Sequence, residues 1–303
     1  MTISCHACRM ARRLAASTPD GRTLDVYQDG PEGGIPLLFH NGTPSSGQLF
    51  RPFVAAASQR GLQMVSFSRA GYGSSTRNPG RRVADVVSDV VAALDQLGDP
   101  RFYTLGWSGG GPHALACAAM LPERLIGAAT VGAKAPYDAE GLDWMAGMGQ
   151  ENIAAFSAAV AGDAALRTLL EEVGPSFATI TPEKVAARLG NLVSDVDRSA
   201  ISGESAAWLA EVFRESVRNG IWGWLDDELA LVRPWGFDLG AIDPPVAIWQ
   251  GAQDRNTPLA HGEWLALHIP GVHPHLLPEH GHLSLGVDSF GRILDDLLTI
   301  APA

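Results

Sequence analysis

The chain has 303 residues, of which 46% are hydrophobic and 18% charged. That supports a large buried core and excludes a disordered polyelectrolyte. With 22 basic against 33 acidic residues the net charge is −11, a poor balance for binding phosphate backbones, and no apolar run reaches the ~18 residues that a membrane helix needs.

The first residues carry Cys5 and Cys8, two of only three cysteines, the third being Cys117. An odd count cannot build a disulfide framework. Cys5-His6-Ala7-Cys8 has half the spacing of a zinc site, but no second pair completes the four ligands. No apolar stretch follows Arg12-Arg13, so a secretory signal is not expected. Residues 1–19 read as a poorly ordered leader on a reduced, cytoplasmic protein without metal.

From there, short apolar runs alternate with helical periods. Thr23–Tyr27 alternates like a half-exposed strand, and Asp29–Gly34 is a turn cluster. Pro36–His40, Met64–Ser68, Phe102–Trp107 and Leu125–Val131 are nearly continuous apolar runs, as strands covered on both faces are. Phe50–Gln59 and Val83–Leu97 between them have helical spacing. This alternation predicts an α/β fold with a mostly parallel, doubly wound sheet.

The texture changes over 137–240, where helix-like segments hold five of the eight tryptophans. That stretch has 17 acidic and seven basic residues, so it carries ten of the eleven net negative charges. It reads as an inserted helical cap with a solvated acidic face. Strands resume at Pro245–Gln250 and His273–Leu277, and a helix over Ser289–Leu298 closes the chain. Domain bounds are therefore 20–136 with 241–303 for the core, and 137–240 for the cap.

Gly106-Trp107-Ser108-Gly109-Gly110 fits G-x-S-x-G between a strand and a helix. A serine on such a tight turn projects its hydroxyl above the sheet, and small flanking residues relieve the crowding. The hydroxyl needs a base, and histidine titrates in the right range. His280 and His282 both follow the last strand; His282, directly after glycine and before an apolar run, is the favoured base. The base needs an orienting carboxylate. Asp254 sits at the end of a strand, where open sheets place their sites; Asp138 is the rival. The order Ser, Asp, His is that of nucleophile-elbow hydrolases. Oxyanion donors are expected from the Gly109 N–H and, in the loop His40–Gly47, the Thr43 N–H.

With these residues the chain resembles the α/β-hydrolase fold superfamily, specifically its capped serine hydrolases. The resemblance covers about 20–136 and 241–303. It rests on Gly106–Gly110, Asn41-Gly42-Thr43-Pro44, Arg69-Ala70-Gly71-Tyr72-Gly73-Ser74-Ser75, Gly251-Ala252-Gln253-Asp254 and Gly281-His282. It implies an eight-stranded sheet, Ser108 as nucleophile, Asp254 as acid, His282 as base, and Thr43 and Gly109 as oxyanion donors. Two positions depart from the family's habit: Asn41 stands where histidine is usual, and Ser68 where aspartate is frequent. Serine at 108 separates the chain from haloalkane dehalogenases and epoxide hydrolases, whose aspartate forms an alkyl ester.

Trp107, Trp144, Met148 and Trp222 are expected to wall the pocket, with Met145, Phe156 and Phe213 as further candidates. The expected activity is hydrolysis of an ester, thioester or lactone of a small, largely apolar substrate through an acyl-enzyme on Ser108, without cofactor. Carbon–carbon hydrolysis or acyl transfer on the same trio is the alternative, and a non-catalytic ligand-binding relative is a third. The partner is a small molecule, not nucleic acid or membrane; the sequence leaves a homodimer open.

Overall fold

The computed structural model describes residues 11–98 and 101–303; Cys5 and Cys8 lie outside the described residues. Eight strands form one sheet: β1 (Arg12–Ser17), β2 (Thr23–Asp29), β3 (Ile35–His40), β4 (Leu62–Ser68), β5 (Phe102–Trp107), β6 (Leu125–Val131), β7 (Val246–Gly251) and β8 (His273–Leu277). Their spatial order is 1-2-4-3-5-6-7-8. The pairs β1–β2 and β2–β4 are antiparallel, and every later pair is parallel.

The helices are α1 (Arg51–Ser58), α2 (Val86–Asp95), α3 (Gly111–Met120), α4 (Gln150–Ala161), α5 (Asp163–Ala178), α6 (Val185–Leu189), α7 (Asp195–Ala200), α8 (Gly203–Ser216), α9 (Trp222–Leu231), α10 (Leu259–His268), α11 (His282–Asp288) and α12 (Phe290–Ile300). The period of two in the strands sorts the core into two layers. Leu37, Phe39, Leu105, Ala129 and Trp249 face one side, where α1 and α12 pack and the Phe53 and Phe290 rings stack at 3.8 Å. Leu38, Val65, Phe102, Ala128 and Ile248 face the other, with α2, α3 and α10. Both faces are covered, which is why these runs are apolar throughout.

One expectation needs correcting at the start of the chain. Residues 12–17, assigned to a leader, form edge strand β1, paired with β2 from Arg12 opposite Gln28 to Ser17 opposite Thr23. The Arg13 guanidinium grips Asp25 through two bonds of 2.5 and 2.8 Å. A charged edge strand with one buried face position, Ala16, offers little apolar signal.

The segment 137–240 contributes α4 to α9 between β6 and β7. Its acidic surplus is not wholly solvated. Asp197, Asp226, Asp227 and Glu228 are buried, and Asp226 and Asp227 pair with core arginines. On either side of β3 the chain runs to β4 in one direction and to β5 in the other. That reversal opens a crevice at the carboxyl ends of β3 and β5.

Candidate active site

Ser108 occupies the turn between β5 and α3 with φ of +57°, the one described non-glycine residue in the left-handed region. Side chains avoid that conformation unless their surroundings impose it. Here the crowding of backbone does so. A Cβ on Gly110 would strike the His40 carbonyl and come within 2.7 Å of the Asn41 carbonyl, and one on Gly106 would lie 2.7 Å from Gly111 Cα. The glycines of the motif thus let α3 sit directly on the β3 and β5 ends.

Across the crevice, the loop after β3 covers the serine. A Cβ on Gly42 would lie 3.2 Å from Ser108 Cβ, and one on Gly109 would be 3.3 Å from the Thr43 nitrogen. Thr43 is therefore packed against Gly109, and Gly42 against Ser108. Among the described residues the Thr43 amide has no acceptor, and Gly109 lies in the first turn of a helix, where amides lack helical partners.

Asn41, at the position where histidine is usual, ties the loop to β4 by donating from Nδ2 to Ser66 Oγ at 3.2 Å, and Arg69 holds the loop's backbone. Its guanidinium donates to the Asn41 carbonyl at 2.5 Å, the Gly42 carbonyl at 2.9 Å and Thr43 Oγ1 at 3.0 Å. Asp227 on α9 accepts from Arg69 Nε at 3.1 Å, Tyr72 at 3.0 Å and Thr43 Oγ1 at 2.7 Å, and forms an ion pair with Arg81 at 2.8 Å. Burial alone would raise this carboxyl, but the two arginines hold it far below the ordinary carboxylate range. Ser68 accepts from the Gly47 amide at 3.0 Å and so shapes the same loop's exit.

Asp254 follows β7, and both its oxygens are used. Oδ1 accepts from the amides of Asn256 and Thr257 at 2.7 Å each. Oδ2 meets His282 Nδ1 at 2.6 Å, with both side chains buried. This fixes the ring so that Nδ1 faces the carboxylate and Nε2 is left for another partner. Gly132, at φ +58°, makes room: a Cβ there would lie 2.8 Å from the His282 ring. Ser108 and His282 line one cavity of about 310 Å3. His280 instead turns to Ser289 at 3.4 Å, and Asp138 is exposed; neither lines the cavity.

Trp107 lines the cavity as expected, together with Phe156 and Phe213. Trp144, Met148 and Trp222 do not. Trp144 stands behind Phe156, 4.6 Å between ring centroids, and its indole N–H donates to the Ala135 carbonyl at 2.8 Å. Met148 is buried in the same outer cluster. Trp222 points away from the cavity, its ring covered by Arg77 and Arg167. Helical spacing marks an apolar face but not which of two apolar neighbours is nearer the hole.

Besides Arg69 and Asp227, three further positions carry no sequence signal. Lys134 and Glu228 line the cavity although buried. Asp197, on α7 of the inserted segment, caps α11, the helix that carries His282. It accepts from the amides of His282 at 3.1 Å, Leu283 at 2.8 Å and Ser284 at 2.9 Å, and from Ser284 Oγ at 3.0 Å. Only glycine fits before the histidine, since a Cβ on Gly281 would lie 2.5 Å from both Asp197 oxygens. Asp197→Ala strips three buried amides of their acceptor. We expect a loss of about 3–5 kcal/mol in urea denaturation, and a larger fall in kcat than in KM. Stability within ~1 kcal/mol of the parent would contradict the cap's role.

Three buried histidines make the fold acid-sensitive. Burial, aided by the charges of His113 and Arg69, keeps His40 well below its ordinary range. Burial pushes His113 down to about 3 and His261 to about 4. Each stays neutral in the folded chain but takes a proton on unfolding below pH ~6.5. Their contribution is complete above that pH and is lost as acidification proceeds toward 4. Glu228, raised by burial to about 7, acts oppositely, since its carboxyl holds a proton that the unfolded chain releases. The balance predicts that urea unfolding at pH 5 shows roughly 3 kcal/mol less stability than at pH 7. A flat profile would mean these histidines are not buried neutral.

A sequence profile for the alpha/beta hydrolase fold matches residues 35–288. The chain belongs to the α/β-hydrolase fold family. An uncharacterized hydrolase of Bacillus subtilis, YcgS, is 27% identical over 285 residues, 90% of this chain and 93% of that one. Epoxide hydrolase B of Mycobacterium tuberculosis is 29% identical over 143 residues, 46% of this chain and 36% of its own length. Among solved structures, the enol-lactonase of Burkholderia xenovorans superposes with a TM-score of 0.68 at 20% identity, covering 94% of this chain and all of its own. A thermophilic esterase from Thermogutta terrifontis gives 0.70 at 20%, covering 96% of this chain and all of its own. These two share the fold. Among the described residues no helix is long and apolar enough to cross a membrane, and no cluster of three His, Cys, Asp or Glu side chains is placed to hold a metal ion.

Proposed function

We infer that this chain is a serine hydrolase of small carboxylic esters, thioesters or lactones. The observation that carries the reading is the buried 2.6 Å contact between Asp254 and His282, beside a left-handed Ser108 in the same cavity. In this mechanism His282 Nε2 takes the proton of Ser108 as Oγ attacks the acyl carbon. The oxyanion accepts from the Thr43 and Gly109 amides. The alkoxy or thiolate group leaves with the proton from His282, giving an acyl-serine. Water, deprotonated by His282, then attacks the acyl carbon and releases the acid, returning the proton to Ser108.

Relatives named esterase and enol-lactonase fit this chemistry. The epoxide hydrolase relative does not redirect it, because serine at 108 leads to an acyl rather than an alkyl ester. The cavity walls suit an acyl chain: Leu170, Val173, Phe177, Leu209 and Phe213 form an apolar side. A fluorophosphonate tests the reading. It should attach to Ser108 in the folded protein, as mass spectrometry of the peptide would read, and block cleavage of ethyl valerate. Absence of a Ser108 adduct alongside undiminished cleavage would overturn it.

A further inference from the structure

The same cavity is lined by two buried polar side chains, Lys134 and Glu228, that the acyl-transfer steps leave unused. Lys134, just beyond β6, is 4% exposed and lines the cavity. Of its three N–H donors one reaches Thr257 Oγ1 at 3.2 Å. The Phe156 ring lies 5.4 Å from the ammonium. Among the described residues no carboxylate comes within ion-pair distance of it; Glu228 and Asp254 act on it only through space. Asp254 is fully engaged with His282 and two amides.

Glu228, 5% exposed on α9, lines the same cavity. Its Oε1 accepts from the Trp224 indole at 3.1 Å, while its Oε2 is buried with no partner. A buried ammonium with spare donors and a buried carboxyl oxygen with none of its bonds made are costly in an empty protein. Such groups are retained where a ligand completes them. Burial raises the Glu228 carboxyl to about 7, so near neutrality it is readily protonated. It then has an O–H to donate, and the two side chains become a set of donors around one positive charge.

We propose that Lys134 and Glu228 form a carboxylate-binding pole, and that the substrate is an ester, thioester or lactone whose acyl chain ends in a second, free carboxylate. The free carboxylate accepts from Lys134 and from the protonated Glu228, while the apolar wall holds the intervening methylenes. This narrows the largely apolar substrate expected from sequence: the middle of the acyl group is apolar and its end is anionic. The assignment rests on the serine-hydrolase reading for the position of the scissile bond, but not for the existence of the pole.

The test compares two esters with five-carbon acyl chains, monoethyl glutarate and ethyl valerate, with monoethyl succinate and monoethyl adipate to cover chain length. Proton release at constant pH reads kcat/KM. The parent enzyme should prefer at least one of the anionic esters over ethyl valerate by about tenfold or more, as expected of bonds to a charged group. Lys134→Met should lower that ratio by about tenfold or more, and Glu228→Gln, which keeps a donor and removes the negative charge, should preserve or raise it. No preference for any anionic ester in the parent enzyme overturns the proposal, whether or not Lys134→Met folds. A ratio unchanged in folded Lys134→Met overturns it too. Calorimetry with Ser108→Ala separates this from the reading beneath it. Tighter binding of the preferred anionic ester than of ethyl valerate supports the pole whatever the nucleophile, and equal binding overturns it. Turnover in that variant at the parent rate would count against the serine alone.

Discussion

Ser108→Ala should lower kcat/KM for ethyl valerate by about four to six orders of magnitude with the fold intact. On the proposed mechanism the loss is so large because the acyl acceptor itself is removed. What remains is the contribution of the Thr43 and Gly109 amides and of binding in the cavity. Alanine keeps a Cβ, so it inherits the left-handed backbone at φ +57°, and its stability should stay close to that of the parent. Ser108→Gly separates the two roles of the position. It removes the same nucleophile and relieves a conformation that costs a side-chain-bearing residue ~1–2 kcal/mol, less what glycine adds to the unfolded chain. That variant should be equally inactive and up to about 1 kcal/mol more stable. An active alanine variant would remove Ser108 from the mechanism. An inactive but destabilised glycine variant would show that the turn is not strained.

Asp227→Ala should be the most damaging substitution outside the trio. The carboxylate is fully buried and shared by Arg69, Arg81, Tyr72 and the Thr43 hydroxyl. Its loss leaves two guanidinium groups, both at most 5% exposed, facing each other without an anion. Breaking a buried pair in this way costs about 3–5 kcal/mol, or about 10 °C in Tm for a chain of this size. Activity should fall further than stability explains, because Arg69 also holds the carbonyls of Asn41 and Gly42, and so sets the direction of the Thr43 amide. Measuring kcat well below the melting range isolates that part. A Tm within 2 °C of the parent would contradict the account.

The sheet was legible because strands covered on both faces leave continuous apolar runs, and six of the eight strands do so or alternate visibly. β1 was not, since its arginines face outward and one buried alanine is no pattern. Ser108, Asp254 and His282 could each be singled out because each belongs to a short motif at the end of a strand, and the structure sets Asp254 against His282 and lines one cavity with His282 and Ser108. The residues that hold them could not be singled out. Arg69 and Asp227 are 158 positions apart, and Asp197 is 85 from the amide of His282. Nothing local marks an acidic residue as buried when its partner lies on another element. The composition of 137–240 even points the wrong way, for an acidic surplus resembles a solvated surface until the arginines opposite are seen. The pocket failed for a different reason. Trp144 and Phe156 are both apolar and both in the inserted segment, and only packing decides that the phenylalanine stands in front.

Asp197 and Asp227 fasten the inserted segment to the core at two separated points, one on the helix of His282 and one on the loop over Ser108. Swinging that segment aside as a hinged door would expose both amide and guanidinium partners at once, shifting the His282 ring and the loop over Ser108 together. On the proposed reading, ligands enter and leave through side-chain movements around the cavity mouth while the inserted segment stays fastened. Amide hydrogen exchange should accordingly show α7, α9 and α11 opening together, and only in concert with the sheet beneath them.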